Sequence, residues 1–191
     1  MRIITGTARG RRLQTLPGED TRPTTDRVKE GIFSAIQFDI EGRRVLDLFA
    51  GSGQMGLEAL SRGASRAVFV DKSPKAAEVI RANCLSTGLA DGSVVLCTDA
   101  LTFCAGQGEK FDIIFLDPPY DAGLLPKILP FAAGCLSDYG MLVCEHRMGD
   151  TLPDKMDGIE RGRCYRYGKI MVTFYRKGGE IRDAGKECSS Q

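Results

Sequence analysis

The residues best suited to chemistry in this 191-residue chain are Asp117-Pro118-Pro119-Tyr120. They follow Phe111-Asp112-Ile113-Ile114-Phe115-Leu116, an apolar run that reads as a buried strand. Two consecutive prolines end a strand and hold φ fixed over a short stretch. Asp117 is thereby set at the strand's C-terminal mouth, beside a carbonyl at Pro118 and an aromatic face at Tyr120. Such a loop suits a planar ring that bears an exocyclic NH₂ group. The amine donates to the Asp117 carboxylate and the Pro118 carbonyl while the ring stacks on Tyr120. The plainer reading is a strand-ending turn, and a second motif upstream weakens it by serving the same chemistry.

That second motif is Val45-Leu46-Asp47-Leu48-Phe49-Ala50-Gly51-Ser52-Gly53-Gln54-Met55-Gly56. A short strand runs into a glycine turn, and a helix follows through Leu57-Glu58-Ala59-Leu60. Gly51 and Gly53 let the backbone approach a ligand and tolerate positive φ. The spacing Gly-x-Gly-x-x-Gly alone leaves NAD and S-adenosylmethionine both open. Asp71 ends the next strand, Ala67-Val68-Phe69-Val70, and could accept from both ribose hydroxyls of either cofactor. Asp47 discriminates between them. A carboxylate there repels a pyrophosphate and attracts the sulfonium or ammonium of S-adenosylmethionine. Its alternative role is to cap a loop N–H.

A third strand, Val94-Val95-Leu96-Cys97, leads through Thr98 to Asp99 and Ala100. Asp99 could accept from an adenine N6 amine, or cap the helix that begins near Ala100. Ligands of a doubly wound sheet lie outside the carboxyl ends of its strands. Asp47, Asp71, Asp99 and Asp117 end four successive expected strands, so all four should line one rim.

These motifs resemble the class I S-adenosylmethionine-dependent methyltransferases that act on nucleobase amino groups. More closely, the chain is similar to the bacterial 16S ribosomal RNA guanine-N2 methyltransferases of the RsmD type, over residues 1 to 176. Arg2-Ile3-Ile4-Thr5-Gly6 with Arg9-Gly10-Arg11-Arg12-Leu13 is similar to that family's N-terminal hairpin. Arg22-Pro23-Thr24-Thr25-Asp26-Arg27-Val28-Lys29-Glu30 resembles its first loop and helix, and Gly56-Leu57-Glu58-Ala59-Leu60-Ser61-Arg62-Gly63-Ala64 its cofactor helix. Gln54-Met55 departs from the small apolar residues expected there. The resemblance implies a Rossmann-like α/β fold, with a seven-stranded, mostly parallel sheet flanked by helices and a basic β-hairpin extension over 1–22. It implies S-adenosylmethionine as cofactor, with Asp47, Phe49, Ala50, Gly51, Ser52, Gly53, Asp71, Lys72, Asp99 and Ala100 around it. Asp117, Pro118, Pro119 and Tyr120 would form the catalytic loop. Arg9, Arg11, Arg12, Arg22 and Arg27 would contact RNA. The implied substrate is the N2 amine of a guanine, guanine 966, in 16S rRNA or the 30S subunit. Rival readings are adenine-N6 methylation of DNA, for which the chain has no large recognition insertion, and a non-catalytic RNA-binding assembly factor. A dehydrogenase is disfavoured by Asp47 and by the Asp117–Tyr120 loop.

The elements that must position these residues follow from periodicity. Strands are expected near 44–48, 66–71, 93–97, 111–116, 140–145 and 169–176. Helices are expected near 54–62, 74–87, 99–104 and 122–133. An earlier helix, capped by Thr24 or Thr25, runs to about Gln37 with Val28, Ile32, Ala35 and Ile36 on its buried face. Alternating strands and helices imply a mostly parallel sheet in one domain over 1–177, with 178–191 as a disordered tail. The hydrophobic content of 42% excludes wholesale disorder, and no apolar run approaches the ~20 residues of a membrane span. Met1-Arg2-Ile3-Ile4-Thr5 has no secretory core. Seven scattered cysteines and a single histidine make a metal site unexpected. Cys84, Cys97, Cys135 and Cys144 read as small core residues in a reducing, cytoplasmic setting. A monomer is expected. The net charge of +1 conceals two basic stretches without acids, 1–12 and 161–177. Both read as hairpins, and either grips an RNA backbone or protects a solvated edge.

Overall fold

A computed structural model describes residues 1–16, 26–106, 108–119 and 123–178. Arg22, Tyr120, the expected Thr24 or Thr25 cap and residues 179–191 of the expected tail lie outside the described residues.

Apolar runs bounded by turn residues become parallel strands, buried on both faces everywhere but at the sheet edge. These are β1 (Arg44–Leu48), β2 (Arg66–Asp71), β3 (Ser93–Cys97) and β4 (Phe111–Leu116). They are followed by the longer β5 (Leu136–Arg147), then β6 (Lys155–Met156), β7 (Ile159–Tyr167) and β8 (Ile170–Lys177). All eight form one sheet in the order β3-β2-β1-β4-β5-β8-β7-β6. Strands β1 to β5 are parallel where they pair, and β5-β8-β7-β6 are antiparallel. The eighth strand, one more than expected, is the two-residue β6. β5 also begins at Leu136 rather than near 140, because Leu136 pairs with Phe111 across a register shift.

Helices cover both faces. α1 (Asp26–Ala35), α2 (Gln54–Ser61) and α3 (Pro74–Thr87) bury Ile32, Phe33, Leu57 and Ile80 against Val45, Phe69, Phe115 and Val143. α4 (Ala100–Gly106) and α5 (Leu124–Gly134) pack Cys104, Ile128 and Leu129 on Leu46, Val68, Ile114 and Leu142. β1 lies between β2 and β4, so the chain leaves it in opposite directions across the sheet. That reversal opens a crevice at the carboxyl ends, where the loops after β1 and β4 meet. Among the described residues no helix is long and apolar enough to cross a membrane.

The N-terminal hairpin closes with a single bridge, between Arg2 and Arg12. Ile3 N–H bonds the Arg11 carbonyl and Gly10 N–H the Ile3 carbonyl across it, both at 2.9 Å, while other backbone donors of the arm turn to α2. The N–H groups of Ile4 and Thr5 bond the Glu58 carboxylate at 2.7 and 3.0 Å. Those of Thr7 and Ala8 reach the Ser61 carbonyl and hydroxyl at 2.8 and 3.0 Å. Gly6, at φ +90°, lies so close to the Ser61 carbonyl that a Cβ would sit 1.7 Å from its oxygen. Cys84, Cys135 and Cys144 are buried as expected, but Cys97 is exposed because β3 is the edge strand.

Candidate active site

The loop after β1 is built on two carboxylates. Asp47, 4% exposed, points beneath the loop, and its Oδ2 accepts the Gly56 N–H at 2.9 Å. This is the capping role that the sequence left open. Burial pushes the Asp47 carboxyl up to about 7, opposed by the Gly56 hydrogen bond and reinforced by the charge of Asp71. Asp71 ties the loops after β1 and β2 together: Oδ2 accepts from Gly51 N–H at 2.9 Å and Oδ1 from Ser73 N–H at 2.8 Å. A carboxylate has about four acceptor positions, so these bonds leave capacity for ligand hydroxyls. Phe49, Gly51 and Gly53 all have positive φ, 62°, 54° and 79°, and Ala50 N–H returns to the Val70 carbonyl at 3.0 Å. Positive φ at a bulky residue such as Phe49 is strained, by about 1–3 kcal/mol, and marks a turn that the surrounding contacts impose.

Ser52 is buried, and its hydroxyl donates to the Met1 sulfur at 3.3 Å. Lys72 is exposed. Asp99 is exposed and caps α4, with Oδ1 accepting Thr102 N–H at 3.0 Å; Ala100 is buried behind it. Asp99, Asp71 and Asp117 stand on one rim, at the ends of β3, β2 and β4, with Asp47 of the intervening β1 one residue inside it.

The fit to a cationic, donor-rich cofactor rests on this donor set. The loops present the Asp47, Asp71 and Asp99 carboxylates against one cation, the exposed Lys72. Gln54 Oε1, buried at the head of α2, has no hydrogen-bond partner among the described residues. A polyanionic dinucleotide would meet the same acceptors with repulsion.

Beyond β4, Asp117 is half-buried, Pro118 buried and Pro119 exposed. The two prolines border a cavity of about 190 Å³, closed by Leu125 and Pro126 of α5, by Glu145, His146 and Arg147 at the end of β5, and by Asp150 and Leu152 beyond it. His146 is locked: Nδ1 donates to the Arg147 carbonyl at 3.0 Å and Nε2 meets the Thr173 hydroxyl at 2.9 Å. Burial lowers its pKa, so it stays neutral. Among the described residues no three His, Cys, Asp or Glu side chains converge to hold a metal ion.

A family model described as conserved hypothetical protein 95 matches residues 1–176. The Escherichia coli ribosomal RNA small subunit methyltransferase D is 37% identical over 179 residues, covering 93% of this chain and 90% of that one. The chain belongs to this family, the RsmD-type methyltransferases. A Bacillus subtilis relative, YlbH, is 40% identical over 184 residues, with 94% of this chain and all of YlbH aligned. The solved Escherichia coli yhhF structure superimposes with a TM-score of 0.85 at 32% identity, over 93% of this chain and 98% of that one. The RsmD-type methyltransferase fold and catalytic class are therefore those of this chain.

In this RsmD-type chain the basic residues divide. Arg9, Arg11, Arg12 and Arg27 are exposed. Of the C-terminal stretch, Arg161 and Arg176 are paired with Asp154 and Asp39, and Lys177 bonds the Leu136 carbonyl. Arg163 and Lys169 remain exposed on β7 and its turn. Two buried residues escaped the sequence reading. Lys29 sits wholly inside, its ammonium donating to the Arg2 carbonyl at 2.6 Å and 3.8 Å from Glu58. Asn83 joins α3 to the N-terminal arm and to Ser52. Glu145 also went unremarked, although Met141-Leu142-Val143-Cys144-Glu145 repeats the apolar-strand-then-acid pattern of the other rim strands.

Proposed function

We propose that this protein transfers a methyl group from S-adenosylmethionine to the exocyclic N2 amine of a guanine in 16S rRNA, with guanine 966 as the target. The reading is carried by Asp117-Pro118-Pro119 at the mouth of β4, beside a base-sized cavity, in a chain related over nearly its whole length to a small-subunit rRNA methyltransferase. The cofactor would lie over the loop at Phe49, Ala50, Gly51, Ser52 and Gly53, with Asp71 holding its ribose. When bound, it supplies an activated methyl group. The guanine amine is a poor nucleophile because its lone pair is delocalised into the ring. Asp117 and the Pro118 carbonyl accept its two hydrogens and favour a pyramidal nitrogen, while Tyr120 stacks on the ring. The protein contributes alignment and electrostatics. The arginines of the arm and Arg27 hold the RNA backbone.

The test is single-turnover methyl transfer to 16S rRNA, 30S particles and DNA, with Asp117 variants alongside. Asp117→Ala should lower kcat more than it weakens cofactor binding, and Asp117→Asn, which keeps a carbonyl acceptor, should be less damaged. Transfer to DNA in preference to RNA, or near-normal turnover by Asp117→Ala, would overturn the reading.

A further inference from the structure

Guanine offers more than its amine. Next to N2 it carries N1–H, a second donor, whereas adenine has a bare acceptor at N1. An enzyme that selects guanine needs an acceptor beside the one that takes the amine. The β4–β5 register supplies the position: Leu116 pairs with Cys144, so Asp117 and Glu145 follow side by side on parallel strands at the rim. Glu145 lines the same cavity as Pro118 and Pro119 and is only 6% exposed. His146, also in the cavity wall, is held by Arg147 and Thr173, and the exposed Asp150 accepts the Arg147 N–H at 2.9 Å. Neither stands beside Asp117 in the register of the sheet.

We propose that Glu145 is the guanine-reading residue, its carboxylate accepting N1–H while Asp117 and Pro118 take the N2 hydrogens. The same charge repels the N1 lone pair of adenine. This proposal rests on the amine-methylation reading above.

The experiment compares 30S particles whose 16S rRNA carries guanine or 2-aminopurine at the target. 2-Aminopurine keeps the reacting amine and has no N1–H. The wild-type protein should prefer guanine by roughly 10- to 100-fold in kcat/KM, the range of one charge-assisted hydrogen bond. Glu145→Gln carries an amide that can donate to the bare N1, so it should lose activity on guanine and narrow the ratio by about tenfold or more. An unchanged ratio in a Glu145→Gln protein that still binds S-adenosylmethionine overturns the assignment. So does a wild-type protein indifferent to the two bases, a result independent of whether the variant folds. Absence of any transfer to guanine by the wild-type protein would instead remove the underlying reading, and this proposal with it.

Discussion

Asn83 and Ser52 are joined by a 2.9 Å hydrogen bond from side-chain amide to backbone carbonyl. The same amide donates to the Gln14 carbonyl at 3.0 Å, and its oxygen accepts the Gln14 N–H at 2.8 Å. One wholly buried side chain thus clamps the arm that carries Arg9, Arg11 and Arg12 to the loop that precedes α2. Asn83→Ala should cost on the order of 2–4 kcal/mol, since three backbone groups lose their partner. Asn83→Asp should be no better, because it sets a carboxylate against two carbonyls. Urea denaturation of both variants measures the loss, and a change under about 0.5 kcal/mol would remove the clamp.

Glu58 holds the other end of the arm. Besides Ile4 and Thr5 it binds Arg62 Nε at 2.8 Å, with Lys29 at 3.8 Å, and it is fully buried. Glu58→Ala should therefore destabilise by about 3–5 kcal/mol, leaving a buried ammonium and two N–H groups unmatched. Lys29→Met should cost less. Burial already drives the Lys29 pKa down against the pull of Glu58, and Glu58 would retain its bonds from Arg62 and the arm. Equal losses in the two variants would contradict this ordering.

Asp47 predicts a pH dependence. Its carboxyl is raised from 3.8 to about 7 in the folded protein. The folded state therefore holds this proton more tightly than the unfolded chain. The stability it contributes is complete below about pH 4 and is lost as pH rises through about 7. Asp47→Asn keeps an acceptor for Gly56 N–H and has no proton to lose. It should match the wild type near pH 4 and exceed it at pH 8, by on the order of a few kcal/mol. Thermal melts at the two pH values read the difference directly, and a gap independent of pH would exclude Asp47 as the titrating group.

The exposed arm predicts a salt effect. Replacing Arg9, Arg11 and Arg12 with Ala should weaken RNA binding and reduce the slope of log K against log salt by about 2–3, near one unit for each phosphate no longer neutralised. S-adenosylmethionine affinity should hold steady, because these side chains point to solvent while the arm's backbone bonds to α2. Filter binding across a salt series tests it, and an unaltered slope would make the arm a solvated edge.

The sequence by itself determined the parallel half of this protein. β1, β2, β3 and β4 fall on 44–48, 66–71, 93–97 and 111–116 as the apolar runs predict, because strands of a parallel sheet covered by helices are built from continuous apolar segments between turn residues. The acids that end those strands were legible for the same reason. Tertiary structure alone decided what each acid does. Asp47 could face a ligand or a loop N–H from the sequence alone, and in the fold its Oδ2 takes the N–H of Gly56, nine residues on. The arm reads as a hairpin from the glycine near its turn and forms one, but the N–H groups of Ile4, Thr5 and Ala8 go to Glu58 and Ser61, more than 50 residues away, which nothing local foretells. Nothing in the sequence marks Lys29 as buried; Glu58 and the Arg2 carbonyl are brought around it only in the fold. Glu145 joined Asp117 only through the register of β5 on β4. Local sequence carries the period of an element and the residues that stop it. Which side chains then meet depends on strand order and register, which arise from burying the whole core at once.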